Sequence, residues 1–411
     1  MFYVQTCIVM TVLEGALSEG VQKDLIREDT EKLQCILQFL HSRGLAKTAA
    51  QLETEADISF RDLEEGNILD SLLDQYFCNQ QPSVAPSTCV SPLPLPGTSI
   101  THIFRSFNDV HESANPTCVR WHPEETALVV TGGADRRVIL RNVETGDIVF
   151  EVQLASPVLS MDWQCPGFLV AGCMGGEIYS IDSRSKNVRL VGKPHGTSRI
   201  LNIQSSGGVV ASMAKDSCVN CFRLDGVICV PPLRFEKDVS SICWIDNNTI
   251  VVSEIDNPIV SIWRLSSDTK WMQVSQLCMN LSQFDPRTPY TALAMCWNSQ
   301  HRLLAACTNR NSVILFHLPD ILRSDQMLCP IKTLYGMSAG VYDTPAVEFS
   351  KDGSHLYVTS DKRLLVFEIR SGHRIIAFDI SDSKAVRSMH RHPLSDLVAT
   401  VSFDRRLSIL D

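Results

Sequence analysis

Cys218 and Cys221 form a lone C-x-x-C, and His390 and His392 sit two positions apart in an alternating stretch. Metal sites are built from such spacings. The cysteine pair fails on geometry, because positions three apart in a strand face opposite sides and their sulfurs cannot share an ion. The two histidines do share a face, yet no acid or cysteine nearby in the sequence completes a ligand set. Packing or a surface position is their expected role. Gly192-Lys193 runs into Pro194, which lacks the N–H that a phosphate loop uses. Asp135, Asp216, Asp361 and Asp404 have the chemistry of general acids, but they recur at one place in a repeating unit. There a carboxylate accepts turn N–H groups, which is scaffolding. No catalytic constellation, metal site or cofactor is expected.

The elements that hold these residues are read most easily from Thr344 to Phe378. T-P-A-V-E-F-S-K-D-G, H-L-Y-V-T-S, L-L-V-F-E-I and R-I-I-A-F are short β-rich runs, divided by Asp352-Gly353, Asp361-Lys362-Arg363 and Ser371-Gly372. Four strands in so short a span leave no room for a helix and cannot bury both sheet faces alone. Copies must flank them. Aligned on Phe349, the corresponding positions are Trp121, Trp163, Ile203, Trp244, Trp297 and Arg391, spaced 40 to 53 residues apart. The two longer intervals carry their extra residues in 266–290 and 319–344, as changes of loops.

A period of this length with four strands per unit is similar to that of WD40 repeat proteins. The turn aspartates match that family's pattern. Its closing W-D dipeptide is worn to forms such as Arg141-Asn142, Ile181-Asp182 and Phe367-Glu368, and its G-H dipeptide is essentially absent. The expected fold is therefore mainly β: a seven-bladed propeller over residues 99–411. The isolated strand at 99–107 is expected to complete the last repeat, which supplies only three strands.

Before the propeller, residues 1–28 give no clear element, 29–78 read as a helical module, and 79–98 form a Pro- and Ser-rich linker. Leu33, Ile36, Leu37 and Leu40 make one apolar helical stripe, and a second helix is expected at about 46–56. A third helical stretch spans Leu63 to Phe77. The string from Leu33 to Glu55 resembles a LisH motif, with Gly44-Leu45 at its turn. That resemblance implies a homodimer in which two helix pairs form a bundle, with Leu33, Ile36, Leu37, Leu40, Leu45, Ala49 and Leu52 at its core.

Charge is unevenly placed along the 411 residues. Residues 1–80 hold 14 acids and 6 bases, while residues 81–411 are close to neutral. A nearly neutral propeller argues against sequence-independent nucleic-acid binding. Fifteen scattered cysteines suit a reducing compartment, and the apolar first twelve residues are too short for a membrane span. The expected protein is a non-enzymatic, dimeric scaffold of the cytoplasm or nucleus that binds other proteins. The pairing of LisH and WD40 elements resembles that of proteins in microtubule-linked, corepressor and other multiprotein assemblies. The alternative is a substrate receptor of a cullin-type ubiquitin ligase, for which Ile181-Asp182-Ser183-Arg184 and Phe367-Glu368-Ile369-Arg370 are degraded W-D-x-R signals. Within the propeller, Arg136, Arg137, Arg310, Lys362, Arg363, Arg405 and Arg406 lie in turns that the resemblance places on one rim. They are the candidate contacts for an acidic or phosphorylated partner.

Overall fold

Seven sheets, antiparallel except for one added strand, follow one another along the chain of this computed structural model. It describes residues 34, 36, 37, 40, 46–56, 93, 94, 97, 99–224, 230–266, 270–280, 290–324, 327–337 and 344–411. The expectations for 1–28, Leu33, Leu45, Leu63–Phe77 and most of 79–98 lie outside these residues.

The chain divides into two compact units, Met1–Ala85 and Pro86–Asp411. In the first, Gln34, Ile36, Leu37 and Leu40 are helical, and helix α1 spans Ala46–Ala56. Leu37 and Ala49 are fully buried within the single chain. Ile36, Leu40 and Leu52 are half-buried.

The second unit is a seven-bladed β-propeller. Strand β1 (Ile103–Phe107) comes first in sequence. Blade 1 then holds β2 (Pro116–Trp121), β3 (Leu128–Gly133), β4 (Arg137–Asn142) and β5 (Ile148–Gln153). Blade 2 holds β6 (Val158–Cys165) to β9 (Val188–Gly192), and blade 3 holds β10 (Ile200–Ser206), β11 (Val209–Ala214), β12 (Cys218–Arg223) and β13 (Leu233–Arg234). Pro231-Pro232 has no N–H to offer the ladder, so β13 begins only at Leu233.

Blade 4 is built from β14 (Val239–Asp246), β15 (Thr249–Glu254), β16 (Ile259–Ser266) and β17 (Lys270–Cys278). Blade 5 has β18 (Ala292–Asn298), β19 (Leu303–Thr308), β20 (Ser312–His317) and an outer strand, β22 (Lys332–Tyr335). The long connection between β20 and β22 does more than lengthen a loop. It returns to blade 4 as β21 (Met327–Leu328) and adds a fifth, parallel strand outside β17. Blade 6 runs from β23 (Val347–Phe349) to β26 (Arg374–Asp379).

Blade 7 is made from both ends of the unit. Strands β27 (Val386–Arg391), β28 (Val398–Ser402) and β29 (Leu407–Leu410) are completed by β1, which pairs antiparallel with β29 from Phe107↔Leu407 to Ile103↔Leu410. The Arg105 guanidinium then ties β1 to blade 1, donating to the Val143 carbonyl at 2.7 Å and to that of Glu144. The segment just before β1 is not all free linker: Pro94 is buried, and Leu93 packs against the core between blades 5 and 6.

Ladder registers align the innermost strands and correct one sequence alignment. The position of Trp121, Trp163, Trp244, Trp297, Phe349 and Arg391 is filled in blade 3 by Ser205, which pairs with Val210, and not by Ile203. Blade 3 lacks the aromatic residue there. The pattern therefore pointed to the nearest apolar side chain two residues earlier, on the same face.

Candidate functional site

Each turn between a blade's second and third strands holds one residue in the left-handed region. They are Arg136 (φ 70°), Gly176 (82°), Ser217 (58°), Asp256 (52°), Asn311 (56°), Asp361 (53°) and Arg405 (70°). The preceding acid caps the turn in three blades. Asp135 accepts the Arg137 N–H at 3.0 Å, Asp216 that of Cys218 at 3.3 Å, and Asp404 that of Arg406 at 3.3 Å. Asp361 departs from this reading, since it takes the left-handed position itself and lends its backbone carbonyl to the Val386 N–H.

The same carboxylates receive the chain entering the blade. His111 Nδ1 lies 3.0 Å from Asp135 and its Nε2 3.0 Å from the Thr131 hydroxyl. His195 repeats the arrangement with Asp216 at 2.7 Å and Ser212 at 2.9 Å. In blade 7 the Ser381 hydroxyl donates to Asp404 at 2.7 Å, and in blade 2 that of Ser156 donates to Glu177 at 2.7 Å. His–acid–hydroxyl sets resemble nucleophilic triads, but His111 and Ser212 have no exposure and Thr131 only 3%. Burial lowers the His111 pKa against the opposing pull of Asp135. With the Thr131 and Ser212 hydroxyls buried, these contacts fasten blades 1, 2, 3 and 7 to the connection before each. Sequence reasoning missed both histidines. They stand where the worn G-H dipeptide has lost its glycine, 24 and 21 residues before their acids.

The basic turn residues are not a bare cationic surface. Arg137 bridges Asp135 at 2.8 Å, Glu151 at 3.0 Å and Glu112 at 3.1 Å, and these bonds raise its pKa. Lys362 and Arg363 share Asp379 at 2.8 and 3.1 Å and lower its pKa. Arg405 pairs with Asp109 at 3.1 Å, and Arg406 with Asp382. Arg310 lies over the Tyr290 ring, 6.0 Å from its centroid, and Arg136 is exposed at its turn. Blades 6, 7 and 1 therefore bring together a rim of alternating charge.

A second constellation converges on the ring's axis. One register step before the Trp121 position, the innermost strands present Arg120, Asp162, Gln204, Cys243, Cys296, Glu348 and His390. These strands are sheet edges with unused N–H groups, and at three seams this side chain caps the next blade's strand. His390 Nδ1 accepts from Trp121 N at 3.1 Å, Asp162 from Ser205 N at 2.6 Å, and Gln204 from Trp244 N at 3.3 Å. Burial holds the His390 pKa well below its usual range, which keeps the ring neutral and able to accept. His392 also serves Trp121, meeting the indole edge-on at 5.0 Å, while its Nδ1 accepts the N–H groups of Leu394 and Ser395. The two histidines that shared a face are thus the seam between blades 7 and 1.

Glu348 does not take this capping role. Among the described residues its carboxylate has no hydrogen bond. Burial pushes its pKa up to about 7, with Arg391 and Arg120 pulling it down and Asp162 pushing it up. Cys218 and Cys221 are both buried in β12. Among the described residues no three His, Cys, Asp or Glu side chains gather as metal ligands, and no helix is long and apolar enough to cross a membrane. A groove of about 280 Å³ opens beside Trp263 where β13 is short, with Phe235 and the Gln273 and Gln276 amides in its wall.

Residues 76–166, which include blade 1, match the family described as the anaphase-promoting complex subunit 4 WD40 domain. Residues 191–384, just under half of the chain, match the family described as SdiA-regulated. No curated protein matches the chain. The chain is thus a seven-bladed β-propeller whose first blade is similar to a WD40-type domain.

Proposed function

We propose that the chain is a non-enzymatic scaffold that binds protein partners on the rim formed by blades 6, 7 and 1. A closed propeller is a rigid support for loops, and such folds commonly serve protein binding. The observation that carries the choice of rim is its set of exposed ion pairs: Arg363 and Arg405 keep 59% and 42% of their side-chain surface in water. Exposed pairs of this kind are worth only about 0–1 kcal/mol, so a partner's carboxylates or phosphates replace Asp379 or Asp109 at little cost. Dimerisation through the LisH-like helices then gives two propellers and raises avidity. The free, mostly buried thiols support a reducing compartment, cytoplasmic or nuclear.

The test changes Arg137, Arg363 and Arg406 together to Glu, confirms the fold by circular dichroism, and compares the proteins recovered from cells. Loss of specific partners is expected. An unchanged set removes this rim from consideration. Arg184 and Arg370 are exposed just after the third strands of blades 2 and 6, which supports the ubiquitin-ligase receptor as a second reading. Recovery of a ligase adaptor that is lost on changing these two arginines to Ala distinguishes it.

A further inference from the structure

The fifth strand of blade 4 brings two cysteines together. Strand β21 runs parallel to β17 with Gln276 opposite Met327 and Leu277 opposite Leu328. The next residue on each strand is a cysteine, Cys278 and Cys329. Continued by one step, this register places their Cα atoms about 5 Å apart, the spacing of neighbouring strands. That lies within the range a disulfide spans.

Orientation agrees with spacing. Partners in a parallel ladder point to the same face, and burial alternates in step on the two strands. Leu277 and Leu328 are both buried against blade 5. Gln276 is half-buried and Met327 exposed, and Cys278 and Cys329 return to that same outward side, half-buried and exposed. Burial raises the Cys278 pKa, and the neighbouring Cys329 adds to the rise. The remaining described cysteines offer no such pair at the surface. Seven are buried, and Cys165 is exposed on blade 2.

We propose that Cys278 and Cys329 form a reversible disulfide that clamps the connection between β20 and β22 onto blade 4. A peroxide oxidises the exposed Cys329 thiol to a sulfenic acid, releasing one water. The Cys278 sulfur then attacks that sulfur, the S–S bond forms, and a second water leaves. Two thiols and one hydrogen peroxide thus give one disulfide and two waters. A dithiol reductant reverses the step. The covalent ring so closed runs from Cys278 to Cys329 and contains β18, β19 and β20, the three inner strands of blade 5. Without it, β21 is held to β17 by only two ladder pairs.

The experiment treats the full chain with stoichiometric hydrogen peroxide and maps a non-reduced digest by mass spectrometry. The expected product is a peptide pair linked through Cys278 and Cys329, lighter by two hydrogens. Alkylation of Cys329 falls by about an order of magnitude, and dithiothreitol restores it. In Cys278→Ser the link is absent and Cys329 is recovered as a separate oxidised residue. Recovery of the two cysteines as separate adducts in the unmodified chain, or of a link between two chains, overturns the proposal. Circular dichroism before and after oxidation keeps either outcome interpretable, because an intact fold without the link refutes it directly.

Discussion

Glu348 ties the ring's stability to pH. In the unfolded chain its carboxyl ionises near 4.5, and on the axis it keeps its proton up to about 7. The folded ring therefore binds more protons than the unfolded chain between those values. Its contribution is fully present below the unfolded pKa and is lost as pH rises through the folded one, by at most ~3 kcal/mol. Asp162, whose pKa burial also raises, acts with the same sign. Glu348→Gln should make urea unfolding at pH 8 require more denaturant while leaving pH 4 nearly unchanged. A variant with the original slope between pH 5 and 8 places the effect elsewhere. Little of this was legible in the sequence. Glu348 reads as the outward member of Val347-Glu348-Phe349, and only the registers of seven strands show that outward here means toward the axis.

Among the elements, strands announced themselves better than their partners did. Alternation and turn residues revealed the blades, because burial of both sheet faces demands apolar runs at a fixed period. Strand β21 was hidden, since two residues carry no period and its partner belongs to the preceding blade. Blade 3 was misaligned for want of an aromatic residue. Helix α1 was visible from its pattern, with Ala49 inward. The dimer proposed for the helical module uses fewer of the described apolar residues than the stripe suggests. Leu37 and Ala49 are already covered within one chain, which leaves, among the described residues, Ile36, Leu40 and Leu52 to meet a second copy. In that bundle Leu40→Asp buries an unpaired carboxylate, and light scattering should show the mass falling to that of a monomer. A chain that is monomeric at micromolar concentration before any change ends the dimer.

At the scale of the whole molecule, closure by β1 is the feature on which the ring depends. Removing residues 1–80 should leave a soluble propeller with unchanged thermal stability. Removing 1–107 takes the outer strand from blade 7 and the Arg105 tie to blade 1, and should lower the melting temperature by about 5 °C or more. Equal melting temperatures for the two truncations refute the dependence. The closure also imposes a timetable on synthesis. Ile103 pairs with Leu410, at the far end of the propeller. A ribosome adding about 5–20 residues per second needs roughly 15–60 s between the two. Throughout that interval the edge of β1 that meets β29 is unsatisfied. The ring cannot close until β29 has been made, so a product that stops before β29 is a chain whose first propeller strand never finds its mate. Such a product invites chaperone capture and degradation while nearly all of the sequence is intact.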